Sequence, residues 1–420
     1  MLPKHALPAR LLNSVGRLAP KSAFEFDELK KLAVRRAGSD SWDDIGEFDE
    51  ALKWVLDEAS KLDTLTFLGR QWVKTATLGA LTKRLEVERY RREHAITSDS
   101  PRVGVIIVSP PRTGTTLLFE LLDATGLFRS PMMWELCFAG SRLSPAQRKS
   151  RAVWMARMQS ALTRMDDVHP VDALGPEECT MLLNYTGICH SYDFVLGLPE
   201  ARRRLAELDQ LGRHARRRYD YHALLLNTIA HERLASGVDA EPDQRPWLLK
   251  APGHAEFVGA VAAKYPEASL VVNLRSPSDF VPSVCSLQMT HQQSFVRTTP
   301  AKIAEHSMKI VDHGYSTLGR WSANQPGKLR LVEYDDLVEA PLTVARKVLE
   351  ASGVPHGEAD LKRAEDWLKG RKRRPSVLRS TLDDYGLDAA TVDSRLAPAL
   401  TRIRETGSKV SSVSGPAPRA

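Results

Sequence analysis

Residues 105–122, VIIVSPPRTGTTLLFELL, set a continuous apolar run, then a turn of Ser, Pro, Arg, Thr and one Gly, then an amphipathic helix. A short run this apolar and rich in β-branched residues predicts a buried strand, best accommodated in a parallel sheet covered on both faces. Leu117, Leu118, Leu121 and Leu122 give the following helix its apolar side. The turn is therefore held between a strand end and a helix N-terminus. Backbone N–H groups of Arg112 to Thr116 can converge there on an anion, which the helix dipole also favours. Gly114 lets the backbone approach closely, and Thr115 and Thr116 add hydroxyl donors.

Three further segments read as strands: Trp247–Leu249, Leu270–Leu274 and Leu329–Val332. Helical patterns at Leu117–Ala124, His254–Lys264 and Asp279–Gln288 separate them. Alternation of this kind predicts βαβ units, an α/β class and helices on both faces of a parallel sheet. Residues 24 to about 95 read as helical, with Phe48, Ala51, Leu52, Val55, Leu56 and Ala59 at helical spacing. His94–Arg102 reads as a linker. Between about 144 and 244 the chain is again mostly helical, and its arginine clusters at 202–204 and 216–218 read as solvated faces. The expected organisation is an N-terminal helical segment (1–98), an α/β core (99–375) with that helical insertion, a helical extension (376–405) and a disordered tail (406–420). No internal repeat is visible.

The turn is not that of a nucleoside-triphosphate loop, G-x-x-x-x-G-K-[ST]. Thr115 follows Gly114 where Lys would stand, the first Gly is missing, and the nearby cation is Arg112. Pro111-Arg112-Thr113-Gly114-Thr115-Thr116 resembles the P-[KR]-[ST]-G-T-[ST] loop of sulfotransferases. The resemblance implies a P-loop NTPase-like three-layer sandwich. It also implies that the loop holds the 5′-phosphosulfate of PAPS, 3′-phosphoadenosine 5′-phosphosulfate, as co-substrate.

A second segment, LVVNLRSPSDFVPSVCSL (270–287), is again strand, turn and helix. Arg275 sits at the strand's carboxyl end, where ligands gather in parallel sheets. Ser276 reads as N-cap and Pro277 as N1, and Pro282 predicts a kink. Arg275 with Ser283 eight residues on is similar to the sulfotransferase 3′-phosphate site, and a guanidinium suits phosphate by its fork of donors. RLVEYDDL (330–337) resembles a late element of the same family. In the basic run 369–374, Arg371 and Arg373 fall where that family often has a loop over the 3′-phosphate.

Sulfuryl transfer needs positioning, cations on the transferring and leaving oxygens, and a base for the acceptor's proton. Arg112 and Lys250, which closes the strand WLLK, are the expected cations. Two residues compete as base. His254 has an ordinary pKa suited to neutral pH and lies shortly after Lys250, an order similar to that of cytosolic sulfotransferases. Glu135, in PMMWELC, occupies a place similar to that of the Glu base in other members, with a semi-buried pocket needed to raise its pKa. His169-Pro170 and Pro176-Glu177-Glu178 resemble a bacterial sulfotransferase segment, and the Glu pair also reads as ordinary helix-start chemistry.

Lys and Arg exceed Asp and Glu by 59 to 52, an excess suited to a modest anion rather than nucleic acid. The four cysteines form no zinc or disulfide pattern and read as buried thiols in a reducing cytoplasm. No metal is expected. The first 24 residues are basic, without an acid, and read as a short leader on a cytoplasmic protein. No apolar run reaches the ~18–20 residues of a membrane span. The expected acceptor is a small molecule, glycan or lipid, and a homo-oligomer is allowed. Two rivals remain: a kinase using ATP, disfavoured by the missing Gly and Lys, and a non-catalytic nucleotide-binding protein on the same fold.

Overall fold

The computed structural model describes residues 2–18, 24–42, 46–185, 190–198, 214–371 and 379–410 of the 420. Its centre is a five-stranded parallel sheet: β1 (Val103–Ile107), β2 (Trp247–Lys250), β3 (Ser269–Leu274), β4 (Leu329–Glu333) and β5 (Ser408–Lys409). The spatial order is β2-β1-β3-β4-β5. Ile107 pairs with Lys250 on one side and Val271 on the other, so β1 is an interior strand. All four strands expected from sequence are present.

Alternate residues of β1 enter two separate cores. Val105 and Ile107 pack with Leu118, Leu121 and Leu122 of the helix Thr115–Ala124 and with the helices Pro341–Ala351 and Glu358–Gly370. Ile106 and Val108 pack with the helices Val258–Lys264, Pro277–Phe295, Pro300–Asn324 and Ala389–Thr406. A sheet buried on both faces by helices is the three-layer α/β sandwich of the P-loop-like fold, as the apolar runs require.

The N-terminal helices are continuous with the second core. The long helix Phe67–His94 begins at Thr66, whose Oγ1 accepts from the Gly69 N–H (3.0 Å) and donates to the Phe295 carbonyl (3.0 Å). This anchors the segment to the C-terminal end of the helix Pro277–Phe295. That helix runs unbroken through Pro282.

Two expectations fail. The chain after Thr406 is not all disordered tail: Ser408 and Lys409 pair with Arg330 and Leu331, and the Val410 N–H reaches the Leu331 carbonyl (2.9 Å). A two-residue strand is too short for alternation to reveal it. The second arginine cluster is not wholly solvated either. Arg216 and Arg217 are exposed, but Arg218 is buried with its guanidinium 4.0 Å from the Phe257 ring centre. The cluster at 202–204 lies outside the described residues.

Truncation after Gly407 removes the β5 ladder and uncovers the β4 edge. At about 1 kcal/mol per net hydrogen bond, the loss should be about 2–3 kcal/mol, read as a lower denaturant midpoint.

Candidate functional site

The carboxyl edge of the sheet opens into a cleft of about 450 Å³. Two strand ends supply its floor: the turn after β1 brings Arg112 to Thr116, and β3 is followed by Arg275. Lys250, which ends β2, lies buried beneath it. Clefts at this edge, between strands whose connections leave in opposite directions, are the general ligand site of open parallel sheets.

The turn has the conformation of a cradle. Arg112 (φ +70°) and Gly114 (φ +89°) both lie in the left-handed region, the second as N-cap of the helix Thr115–Ala124. A Cβ at Gly114 would stand 2.8 Å from Tyr334 Cδ2, so neither the φ nor the space admits a side chain. Thr113 is fully buried, and its Oγ1 donates to the Pro110 carbonyl (3.0 Å), bracing the turn from below. Ser109 Oγ accepts from the Asn273 N–H (2.6 Å), tying the turn to β3.

Arg112, Arg275 and Ser283 converge, although the sequence separates Arg112 from the other two by more than 160 residues. Arg112 Nε donates to Ser283 Oγ (2.8 Å), and Arg275 Nη1 donates to the Arg112 carbonyl (3.1 Å). The Arg275 guanidinium lies 4.2 Å from the centre of the Tyr334 ring, a cation–π contact. Burial, and then the neighbouring Arg275 charge, push the Arg112 pKa down. Arg275 Nε is buried without a hydrogen-bond partner. Two adjacent guanidiniums, one with a buried Nε that makes no hydrogen bond, are an arrangement that can hold an anion beside the N-terminus of the helix Thr115–Ala124. Tyr334, from the YDDL element, packs both the cradle glycine and the second arginine.

The opposite wall comes from the helical insertion. An extended stretch bridges Met132 to Pro176, the Glu177 N–H reaches the Pro131 carbonyl (3.0 Å), and the Cys179 N–H reaches the Lys250 carbonyl (2.8 Å). These bonds lay Glu177 and Glu178 into the cleft. Lys250 Nζ donates to Glu178 Oε1 (2.9 Å) and lies 3.4 Å from Thr116 Oγ1. Burial opposes the Lys250 charge, but Glu178 outweighs it and holds the ammonium above its ordinary pKa. Burial would likewise raise Glu178, but Lys250 and then His169 hold it low. Glu177 differs: burial first, and the Glu178 charge second, push it up to about 7. His169, on the same wall, is driven down to about 4 by burial.

Sequence reasoning singled out this segment but also read the Glu pair as ordinary helix-start chemistry. Pro176-Glu177-Glu178 is not the opening of a helix; it is an extended segment two residues before the short helix Thr180–Asn184. The signal available was two adjacent acids flanked by Pro176 and Cys179, without any local pattern placing them on a surface.

Neither base expected from sequence reaches the cleft. Glu135 is 2 % exposed and held by Arg233 through Nε–Oε1 (2.7 Å) and Nη2–Oε2 (2.6 Å), while the Met132 N–H donates to its Oε2 (2.9 Å). Its carboxylate thus caps its own helix and neutralises a buried arginine. His254 is fully buried and faces the core, where its Nδ1 lies 2.8 Å from the Tyr219 hydroxyl. The intervening Pro252 and Gly253 line the cleft instead and turn the histidine away. Arg371 sits 3.2 Å from Glu120 on the loop helix, and Arg373 lies outside the described residues.

Among the described residues, two groups have ligand atoms close enough to surround a cation, all within 4.8 Å: His169 with Glu177 and Glu178, and Cys179 with His222 and His254. In the first, the Lys250 ammonium already stands against Glu178. In the second, the Nδ1 atoms of both histidines face tyrosine hydroxyls, Tyr265 at 2.6 Å and Tyr219 at 2.8 Å.

Residues 104–358 match the model of the Sulfotransferase family. The chain belongs to that family. Its fold is that of solved bacterial sulfotransferases. Sulfotransferase STF9 from Mycobacterium avium superposes with a TM-score of 0.74 at 23% identity, over 89% of this chain and 95% of that one. STF1 from Mycobacterium tuberculosis H37Rv gives 0.69 at 22% identity, over 90% and 100%. No curated protein sequence matches this sulfotransferase significantly.

Replacing Glu135 by Ala should leave the Arg233 charge uncompensated in the interior. Breaking a buried pair in this way costs about 3–5 kcal/mol, measurable by chemical denaturation.

Proposed function

We propose that this sulfotransferase moves the sulfuryl group of PAPS to a hydroxyl acceptor by in-line displacement, with Glu177 as the general base. The observation that carries the reading is the convergence of Arg112, Arg275 and Ser283 beside the left-handed cradle at Gly114. Two anion subsites side by side suit a ligand with two separate anionic groups, which PAPS has and ATP lacks in this arrangement. The cradle Arg112–Thr116 would hold the phosphosulfate end. Arg275, with its unused buried Nε, and Ser283 would hold the 3′-phosphate. PAPS supplies an activated sulfuryl group whose leaving oxygen gathers negative charge, and fixed cations and N–H groups stabilise such charge best where water is excluded.

Lys250 is the cation beneath the floor. Its pairing with Glu178 fixes the ammonium beside Thr116 at the start of the loop helix. Glu178 therefore acts as a positioning carboxylate. Glu177 has no such cation of its own, and its pKa of about 7 keeps a large fraction ionised at neutral pH with appreciable basicity. Glu135 and His254, expected from sequence to include the base, are assigned structural roles. The apolar remainder of the lining, with Met133, Met181, Phe194, Leu287 and Ile310, suits an acceptor with a substantial hydrocarbon part. A cytoplasmic setting, where buried thiols persist, belongs to the same reading.

The kinase alternative finds no lysine in the loop itself, and Glu178, one of the two acids a magnesium ion would draw on, is engaged with Lys250.

Calorimetric titration with adenosine 3′,5′-bisphosphate tests the donor. Binding should be independent of Mg²⁺, stronger than that of ADP, and weakened about ten-fold or more in Arg275→Ala, as expected for loss of a charge-assisted pair. Equal affinity in that variant would remove the 3′-phosphate assignment. Turnover should rise as pH increases through about 7, because the base must lose its proton to act. Glu177→Gln should abolish that limb and cut kcat by about 10²–10⁴ while bisphosphate affinity is kept.

A further inference from the structure

The N-terminal helix Leu7–Val15 is packed with its apolar side outward. Leu7, Leu11 and Val15, with Leu18 in the following turn, recur at helical spacing and are 63%, 59%, 73% and 90% exposed. The opposite side holds the helix in place. Ala9 is fully buried, Asn13 Nδ2 donates to the Ser294 carbonyl (2.9 Å), and Asn13 Oδ1 accepts from the Leu68 N–H (2.9 Å). A surface helix of a globular protein normally turns its apolar stripe inward. Here polar bonds fix it facing solvent.

The patch continues onto a second element. The helix Pro145–Thr163 packs against the first, and Ser294 ties both, since its Oγ donates to the Leu162 carbonyl (2.7 Å). This helix exposes Trp154 (62%), Met155 and Met158. Gln159, next to Met158, lines the cleft. The second helix therefore carries exposed apolar residues next to a residue of the cleft rim.

The charges on the two helices themselves are all positive. Lys4, Arg10 and Arg17 are exposed around the first helix, and Lys149, Arg151 and Arg157 on the second. Residues 1–24 and 142–164 contain no Asp or Glu. Helices that present apolar residues flanked by Lys and Arg insert at an anionic lipid surface, where each cation adds attraction. A second copy of the chain fits poorly, because a two-fold contact would set this basic patch against itself.

We propose that this two-helix face docks on an anionic lipid surface and presents the rim of the cleft to the bilayer. Resting on the sulfuryl-transfer reading above, this makes the acceptor a hydroxyl-bearing lipid drawn from that surface. The apolar cleft wall would receive its chain, and Glu177 would meet its hydroxyl.

The test is flotation of the full chain with vesicles of phosphatidylcholine alone and of an equimolar mixture with phosphatidylglycerol. The protein should float with the mixed vesicles about ten-fold more than with phosphatidylcholine, and added salt should weaken this. The variant Leu11→Glu/Val15→Glu/Trp154→Glu should lose about ten-fold or more of the binding, with unchanged thermal midpoint and unchanged affinity for adenosine 3′,5′-bisphosphate. Wild-type protein that stays with the soluble fraction would overturn the proposal. So would a variant that still floats, or wild-type dimers that the variant dissociates without any vesicle binding. Because the assay contains neither donor nor turnover, loss of bisphosphate binding would count against the proposed function and leave the docking surface standing.

Discussion

The buried pair between Lys250 and Glu178 joins the two halves of this sulfotransferase that sequence keeps apart. Lys250 ends β2 in the α/β core, and Glu178 lies in the helical insertion. Neither charge is stable alone in that position, since removing an ion from water costs several kcal/mol unless a partner and hydrogen bonds compensate. Each is held ionised by the other. The pairing fixes the insertion against the carboxyl edge of the sheet, closes the cleft and leaves Glu177 as the neighbour whose charge is not matched.

That inequality between adjacent carboxylates is the chemical content of the site. Glu178 has a cation at 2.9 Å and stays low, while Glu177 bears both burial and its neighbour's charge and rises to about 7. Pairs of titratable groups pushed apart by their surroundings commonly divide catalytic labour in this way. On the other side of the cleft the imbalance is reversed. Arg112 and Arg275 lie together without an intervening acid, so the cleft has a cationic pole at the β1 and β3 ends and an ionisable acid facing it.

The loop and its strand were legible because their signals are local. A β-branched apolar run, a turn needing left-handed backbone and a leucine-striped helix follow one another within 18 residues, and Arg275 and Ser283 share one strand–helix unit. Which acids and histidines reach the cleft was not legible. Glu135 lies in an apolar stretch that suits a raised carboxylate, yet Arg233, almost a hundred residues later, claims both its oxygens. His254 follows Lys250 in the expected order, but Pro252 and Gly253 turn its ring into a core of Tyr219 and Tyr265. Which way a side chain points after a proline–glycine turn is set by what fills the space behind it.

By itself, the sequence determined the α/β class, the parallel sheet, the tight turn at Arg112–Thr116 and the second arginine at a strand end, because periodicity, turn chemistry and helix capping act over a few residues. Only the tertiary structure decided which acids enter the cleft, that Tyr334 packs Gly114 and Arg275 together, that Ser408 and Lys409 complete the sheet, and that the leucines of the first helix face outward. Those depend on partners 50 to 300 residues away, and a charge or an apolar face acquires its meaning only from what is buried against it.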